Sequence, residues 1–296
     1  ENWKLFVDIG GIKFLLRLAI STNKYAQKKS VEYLSIITLN EDIKKSIFNI
    51  NGLPQLIEVV LSSPNHEIQE LGLSVIANLS SNPSSWNDIV ELGGITPIVS
   101  FLSSQDSKSA QQNSATILSN ISSNPIYLEI LGEAEVISRF IDVMEGATFE
   151  EDSKLLSTIL NSLSNLVREE KNARDLFEHC SSLEAYMKLF SSKDPGVLLS
   201  GSIALKHLAT SNTIRPILSQ DSFLTTALKA VLSSSSSEET KLNGLKSLYI
   251  LSDKPNQQFI KLIPILIQLL ENPEDEKILP ELLNILNNLS KSSSFR

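Results

Sequence analysis

Little in this sequence could perform covalent chemistry. Its 296 residues include one cysteine, Cys180, and three histidines. A lone thiol cannot close an internal disulfide, which excludes a disulfide-stapled secreted scaffold and points to a reducing compartment, cytosol or nucleus. No charged-then-apolar leader opens the chain. His179 and Cys180 are neighbours in sequence, so on a helix they point to different sides, which defeats both a nucleophile–base pair and a chelate. His66 stands beside Glu67 in a turn-like stretch, where a solvated side chain is expected. Basic residues are the minority: 26 against 34 acidic ones, a formal charge of −8 and a pI near 5.1. That balance opposes binding to a phosphate backbone, so nucleic acid is not an expected partner. Long apolar runs are also missing. The stretch 263–270 is broken by Pro264 and Gln268 and falls well short of the roughly 20 residues that cross a bilayer. With 42% hydrophobic residues, the chain can nevertheless bury a sizeable core. It begins at Glu1 rather than at a methionine, which suggests a piece of a longer protein.

What the chain does have is a period. Gly10-Gly11-Ile12, Asn51-Gly52-Leu53 and Gly93-Gly94-Ile95 each precede an apolar stretch. Taking the apolar residue as anchor gives Ile12, Leu53, Ile95, Ile137, Leu183, Leu224 and Ile263, spaced by 41, 42, 42, 46, 41 and 39 residues. Residues 3, 4, 6 and 7 after every anchor are apolar, as in Leu15, Leu16, Leu18 and Ala19 of the first unit. This is helical periodicity, not strand alternation. A second register follows in each unit, with Asn78-Leu79-Ser80, Asn120-Ile121-Ser122, Asn165-Leu166 and Asn288-Leu289-Ser290 at equivalent places. Ile36, His207 and Ile250 occupy that place in the other three units. With this residue numbered 0, positions −5, −2 and +1 share one helical face and should be core. They are apolar in every unit except at Ser202, as in Leu160, Leu163, Leu166 and in Leu283, Leu286, Leu289.

Turn-forming clusters punctuate the helices: Ser62-Ser63-Pro64-Asn65, Ser103-Ser104-Gln105-Asp106, Ser191 to Pro195 and Ser233 to Ser237. Ser81-Asn82-Pro83 and Ser123-Asn124-Pro125 place proline where a new helix can start. Each unit therefore reads as three helices in about 42 residues, the last helix the longest. The units are approximately 1–39, 40–82, 83–124, 125–170, 171–211, 212–253 and 254–296. Unit four departs from the pattern. It has Ala134-Glu135 where glycines are expected, and five extra residues around 146–150 predict a longer loop carrying the acidic run Glu150-Glu151-Asp152. Ser233 to Ser237 reads as a flexible connector.

The Gly-Gly-Ile anchors, the apolar pattern behind them and the Asn-Leu-Ser third helices resemble the armadillo repeat family over essentially the whole chain. The resemblance implies an all-α fold, a right-handed α-solenoid (superhelix) of about seven repeats forming a single domain. It also implies non-covalent protein binding, with no catalytic residues, metal or cofactor. In armadillo arrays, positions −7, −4 and 0 of the long helix face a concave groove. Here they give a candidate protein-binding strip of Asn78, Asn113, Thr116, Asn120, Thr158, Asn161, Asn165, His207, Asn243, Lys246, Asn284 and Asn288, polar and nearly uncharged in its middle. In importin-alpha and beta-catenin, the position-0 asparagines clamp an extended peptide. The alternative is that they bond neighbouring helix ends, and an amide can do either. Importin-alpha also carries tryptophan at −4, where this chain has Ser74, Thr116, Asn161 and Asn284. A receptor for basic nuclear localisation peptides is therefore not expected. The expected function is a scaffold or adaptor that binds a protein or extended peptide segment. The alternatives are an armadillo regulator of a small GTPase, and a regulatory or oligomerising segment of a larger enzyme.

Overall fold

The computed structural model describes residues 2–104, 107–178, 190–220, 222–233, 236–253, 257–271 and 277–291. Among these residues, all regular structure is helical. The chain divides into two compact bodies, Glu1–Asn124 and Pro125–Arg296.

The first body holds three repeats. Their helices are Asn2–Asp8, Gly11–Ala19 and Lys24–Ile37; Glu41–Asn49, Leu53–Ser62 and His66–Leu79; and Ser84–Glu91, Ile95–Phe101 and Lys108–Ser122. Each long third helix starts at a side-chain cap. Asn23, Asn65 and Ser107 accept backbone N–H groups of the first turn that the helix itself cannot satisfy. A glutamine nine residues before position 0 then ties each long helix to the end of the second helix. Gln27 donates to the Ala19 carbonyl, Gln69 to Val60 and Gln111 to Leu102, at 2.9–3.0 Å. The long helices of successive repeats lie against one another. Positions −5, −2 and +1 fill the space between them, as Leu73, Ile76 and Leu79 do with essentially no exposure.

The second body holds the remaining long helices, Phe149–Leu166, Pro195–Thr210, Glu238–Leu251 and Leu279–Lys291, stacked in the same order. Leu156 and Leu198 stand where the first body has its glutamines, so the hydrogen-bonded tie is absent from those two helices. Asn172 of the helix Glu170–Glu178 is buried and donates to the carbonyls of Leu128 and Leu166, at 2.8 and 3.2 Å, joining repeats four and five. Ser202, the polar exception on the core face, is fully buried with its hydroxyl donated to the Leu199 carbonyl at 2.7 Å. A hydroxyl that bonds its own helix costs little to bury.

Four readings of the sequence need correction. The tight turn before the second helix needs a left-handed residue, supplied by Gly10 (φ 82°), Asn51 (φ 53°) and Gly93 (φ 76°). In repeat four Glu135 takes it (φ 59°), so the pair equivalent to the glycines is Glu135-Val136, not Ala134-Glu135. The extra residues after 146 form no longer loop. Thr148 precedes a helix that begins at Phe149 and breaks at Asp152 (φ −115°, ψ 15°), whose carboxylate turns back to accept the Thr148 backbone N–H at 3.0 Å. Ser236 and Ser237 are not a loose connector. Ser236 is buried and donates to the Ala230 carbonyl, and Ser237 caps the helix Glu238–Leu251. In repeat seven the buried residues are Leu282, Ile285 and Leu289, while Leu283 is 60% exposed and Leu286 half-buried. In the earlier repeats of this body the next long helix covers positions −5 and −2. No described element follows to cover them in repeat seven. His179, Cys180, the anchor Leu183 and the Trp3 side chain lie outside what is described.

Candidate functional site

Within each body the position-0 residues share one face of the long helices, half-buried in every repeat but the first, where Ile36 is exposed. Their amides are already partly committed. Asn78 Nδ2 donates to the Ser35 carbonyl (3.1 Å) and to Thr38 Oγ1 (3.0 Å) of the preceding repeat. Because a carbonyl can only accept, this contact fixes which end of the amide faces inward. Asn120 Nδ2 donates to Ser80 Oγ (2.8 Å), and Asn288 Nδ2 to Ser252 Oγ (2.9 Å). In each case the partner hydroxyl sits at position +2 of the repeat before. The amide oxygens of Asn78, Asn120 and Asn288 meet no donor among the described residues.

Where the asparagine is replaced, the partner changes with it. Repeat four has Val167 at +2, and the next position 0 is His207, whose Nδ1 reaches the Ser164 carbonyl instead. That acceptor requires the proton on Nδ1, which leaves Nε2 as a lone pair. Burial holds the His207 pKa below its ordinary value, the Ser164 carbonyl partly offsets this, and Lys206 and Arg168 push it further down. Repeat five has Ala209 at +2 and faces Ile250, so both polar partners are absent there.

The other candidate residues fall into three environments. Thr116 and Thr158 are half-buried and donate to carbonyls of their own helices, at Gln112 and Lys154. Asn161 and Asn284 are exposed, and Asn113, Asn165 and Lys246 are half-buried. Asn243 is buried, and its Oδ1 accepts Lys206 Nζ at 3.0 Å. Sequence reasoning missed the hydroxyls Thr38, Ser80 and Ser252, and it missed Lys206. For Ser80 the signal was present in Asn78-Leu79-Ser80, a serine two residues after one asparagine and a full repeat before the next, whereas Thr38 and Ser252 follow Ile36 and Ile250 and carry no such mark. Among the described residues, no group of three His, Cys, Asp or Glu could hold a metal ion, and no helix is long and apolar enough to cross a membrane.

Residues 83–123 match the model of the armadillo/beta-catenin-like repeat. An engineered protein of known structure superposes with a TM-score of 0.81 at 21% identity, over 96% of this chain and 69% of that one. A designed armadillo repeat protein superposes at 0.70 with 19% identity, over 81% of this chain and 99% of its own. The chain folds as an armadillo-repeat solenoid. A further designed armadillo repeat protein, in complex with the peptide (KR)4, superposes at 0.69 with 19% identity over the same shares. No curated protein matches the sequence. Within the armadillo unit 83–123, the matched segment contains Asn120 and ends just after it, so one complete position-0 ridge residue lies inside the recognised repeat.

Proposed function

We propose that this armadillo-repeat array is a non-catalytic scaffold that binds another protein by holding an extended segment along the position-0 ridge of the long helices within a body. The carrying observation is the orientation of the asparagine amides. Each donates an amide N–H to the preceding repeat, which orients the side chain and leaves the oxygen as a fixed acceptor, and the oxygens of Asn78 and Asn120 stand one repeat apart. An extended main chain presents N–H donors at regular intervals and needs no charge to fill such a row. Packed helices lie about 8–10 Å apart, the reach of roughly two to three extended residues, so one main-chain N–H per two or three residues can meet an acceptor. The existence of a designed armadillo protein in complex with a peptide supports this use of the fold.

The test leaves the protein untouched. Peptides are selected from a random displayed library against the whole chain, and each backbone amide of a selected peptide is N-methylated in turn. Affinity should fall about tenfold or more, one to two hydrogen bonds' worth, at two methylations spaced by two or three residues. A selected peptide indifferent to every methylation would place binding away from the asparagine ridge.

A further inference from the structure

Several of the chain's cations are neutralised on their own helix. Lys29 pairs with Glu32, Lys44 with Glu41 and Arg139 with Asp142, each three residues apart. The long helices of repeats five and six break this habit. Lys206, next to His207, extends its ammonium to the neighbouring long helix and donates to Asn243 Oδ1 at 3.0 Å. Lys246 follows Asn243 by three residues, so it lies on the same helical face, and its charge acts on the Lys206 ammonium as a repulsion. That repulsion and burial both push the Lys206 pKa down, burial the more strongly, while Glu239 is the acid that pulls it up. Among the described residues no carboxylate forms an ion pair with either lysine. Asn243 offers the ammonium a dipole and leaves its charge uncompensated. Two lysines without an ion-pair partner among the described residues thus stand on adjoining long helices, the first of them part-buried, on a chain whose net charge is −8.

Position −1, which Lys206 fills, carries serine, alanine, tyrosine or asparagine in every other repeat, and no other repeat has lysine at −4. The pair is therefore a local feature of one step in the array. Ile203 and Ile250, both half-buried, stand at −4 and 0 of the two helices and give the charged step apolar edges.

We infer that the step between repeats five and six is an anion subsite of the peptide ridge, in which Lys206 and Lys246 take the carboxylate of an aspartate or glutamate in the bound segment. Aliphatic residues flanking that acid rest on Ile203 and Ile250. The inference rests on the peptide-binding reading and adds a charge requirement to it. Two unpaired lysines on adjoining helices attract a carboxylate and repel a basic segment, while the overall negative charge disfavours a polyphosphate chain. A segment as basic as (KR)4 is accordingly the wrong partner for this step.

The experiment repeats the library selection with the parent chain and with K206Q/K246Q, and with K28Q as a control lysine of the first body. Peptides from the parent should be enriched in Asp or Glu beside aliphatic residues. Their affinity should fall at least tenfold for K206Q/K246Q, fall with rising salt, and stay unchanged for K28Q. Exchanging the peptide's acid for its amide, Glu to Gln, should cost as much on the intact parent, so the result stands even where the double variant folds poorly. Selected peptides without acidic residues, or acidic ones that bind K206Q/K246Q as tightly as the parent, overturn the subsite and leave the ridge reading intact. A selection that enriches nothing overturns both.

Discussion

Asn120 donates its side-chain amide to the hydroxyl of Ser80, forty residues earlier, at 2.8 Å. The same bond recurs between Asn78 and Thr38 and between Asn288 and Ser252. It staples three of the long helices to the one before it, and it leaves the amide oxygen without a donor among the described residues. One interaction therefore contributes to both the stability of the stack and the chemistry of its ridge.

The staple missing between repeats five and six can be built. Ala209→Ser supplies the hydroxyl at +2 and Ile250→Asn the amide at 0. The coupling energy in a double-mutant cycle should be favourable by about 0.5–1.5 kcal/mol, the net worth of one hydrogen bond. Urea denaturation of the parent, both single variants and the double variant measures it, and strictly additive effects would mean the register of these two positions is misplaced.

Leu163 and Leu283 occupy position −2 and position −5 of their long helices but not the same environment. Leu163 is fully buried and Leu283 is 60% exposed. Leu163→Asp should cost about 3–5 kcal/mol, because an unpaired charge is left in the shared core. Leu283→Asp should stay within about 0.5 kcal/mol. Thermal melts followed by circular dichroism separate the two outcomes.

Glu135 holds a left-handed backbone that Gly10 and Gly93 hold without a side-chain clash. An L-residue there costs roughly 1–2 kcal/mol, and glycine returns part of that as chain flexibility. Glu135→Gly should therefore stabilise the second body by about 0.5–1 kcal/mol, while Gly93→Ala should destabilise the first by a similar amount. The two denaturation midpoints must move in opposite directions.

His207 links stability to pH. Its folded pKa is lowered, first by burial, so the folded state binds a proton less readily than the unfolded chain. The contribution is fully present above the unfolded value, about 6.5, and is lost as pH falls through that value toward the lower folded one. Lys206 and Arg168 repel the charged ring and act in the same direction, and the Ser164 carbonyl acts against them. His207→Gln should flatten the fall in denaturation midpoint between about pH 7 and 5 relative to the parent. A parent whose midpoint does not fall over that range would contradict this account.

The repeat, the helical class and most of the core were determined by sequence alone, because a 42-residue period and a 3.6-residue face are local patterns that repetition makes visible. Leu73, Ile76, Leu163 and Leu205 lie where the periodicity puts them. The left-handed Glu135, the helical Phe149–Asp152 turn and the exposure of Leu283 were decided only by tertiary structure. A turn conformation imposed by its flanking helices overrides the residue's own preference, and burial depends on whether a neighbouring helix is present. The candidate ridge divides in the same way. The asparagines were legible as a row, but which end of each amide was free depended on the Thr38, Ser80 and Ser252 hydroxyls one repeat away. The bond from Lys206 to Asn243 likewise joins residues of two helices 37 positions apart in sequence, a contact that only their packing brings about.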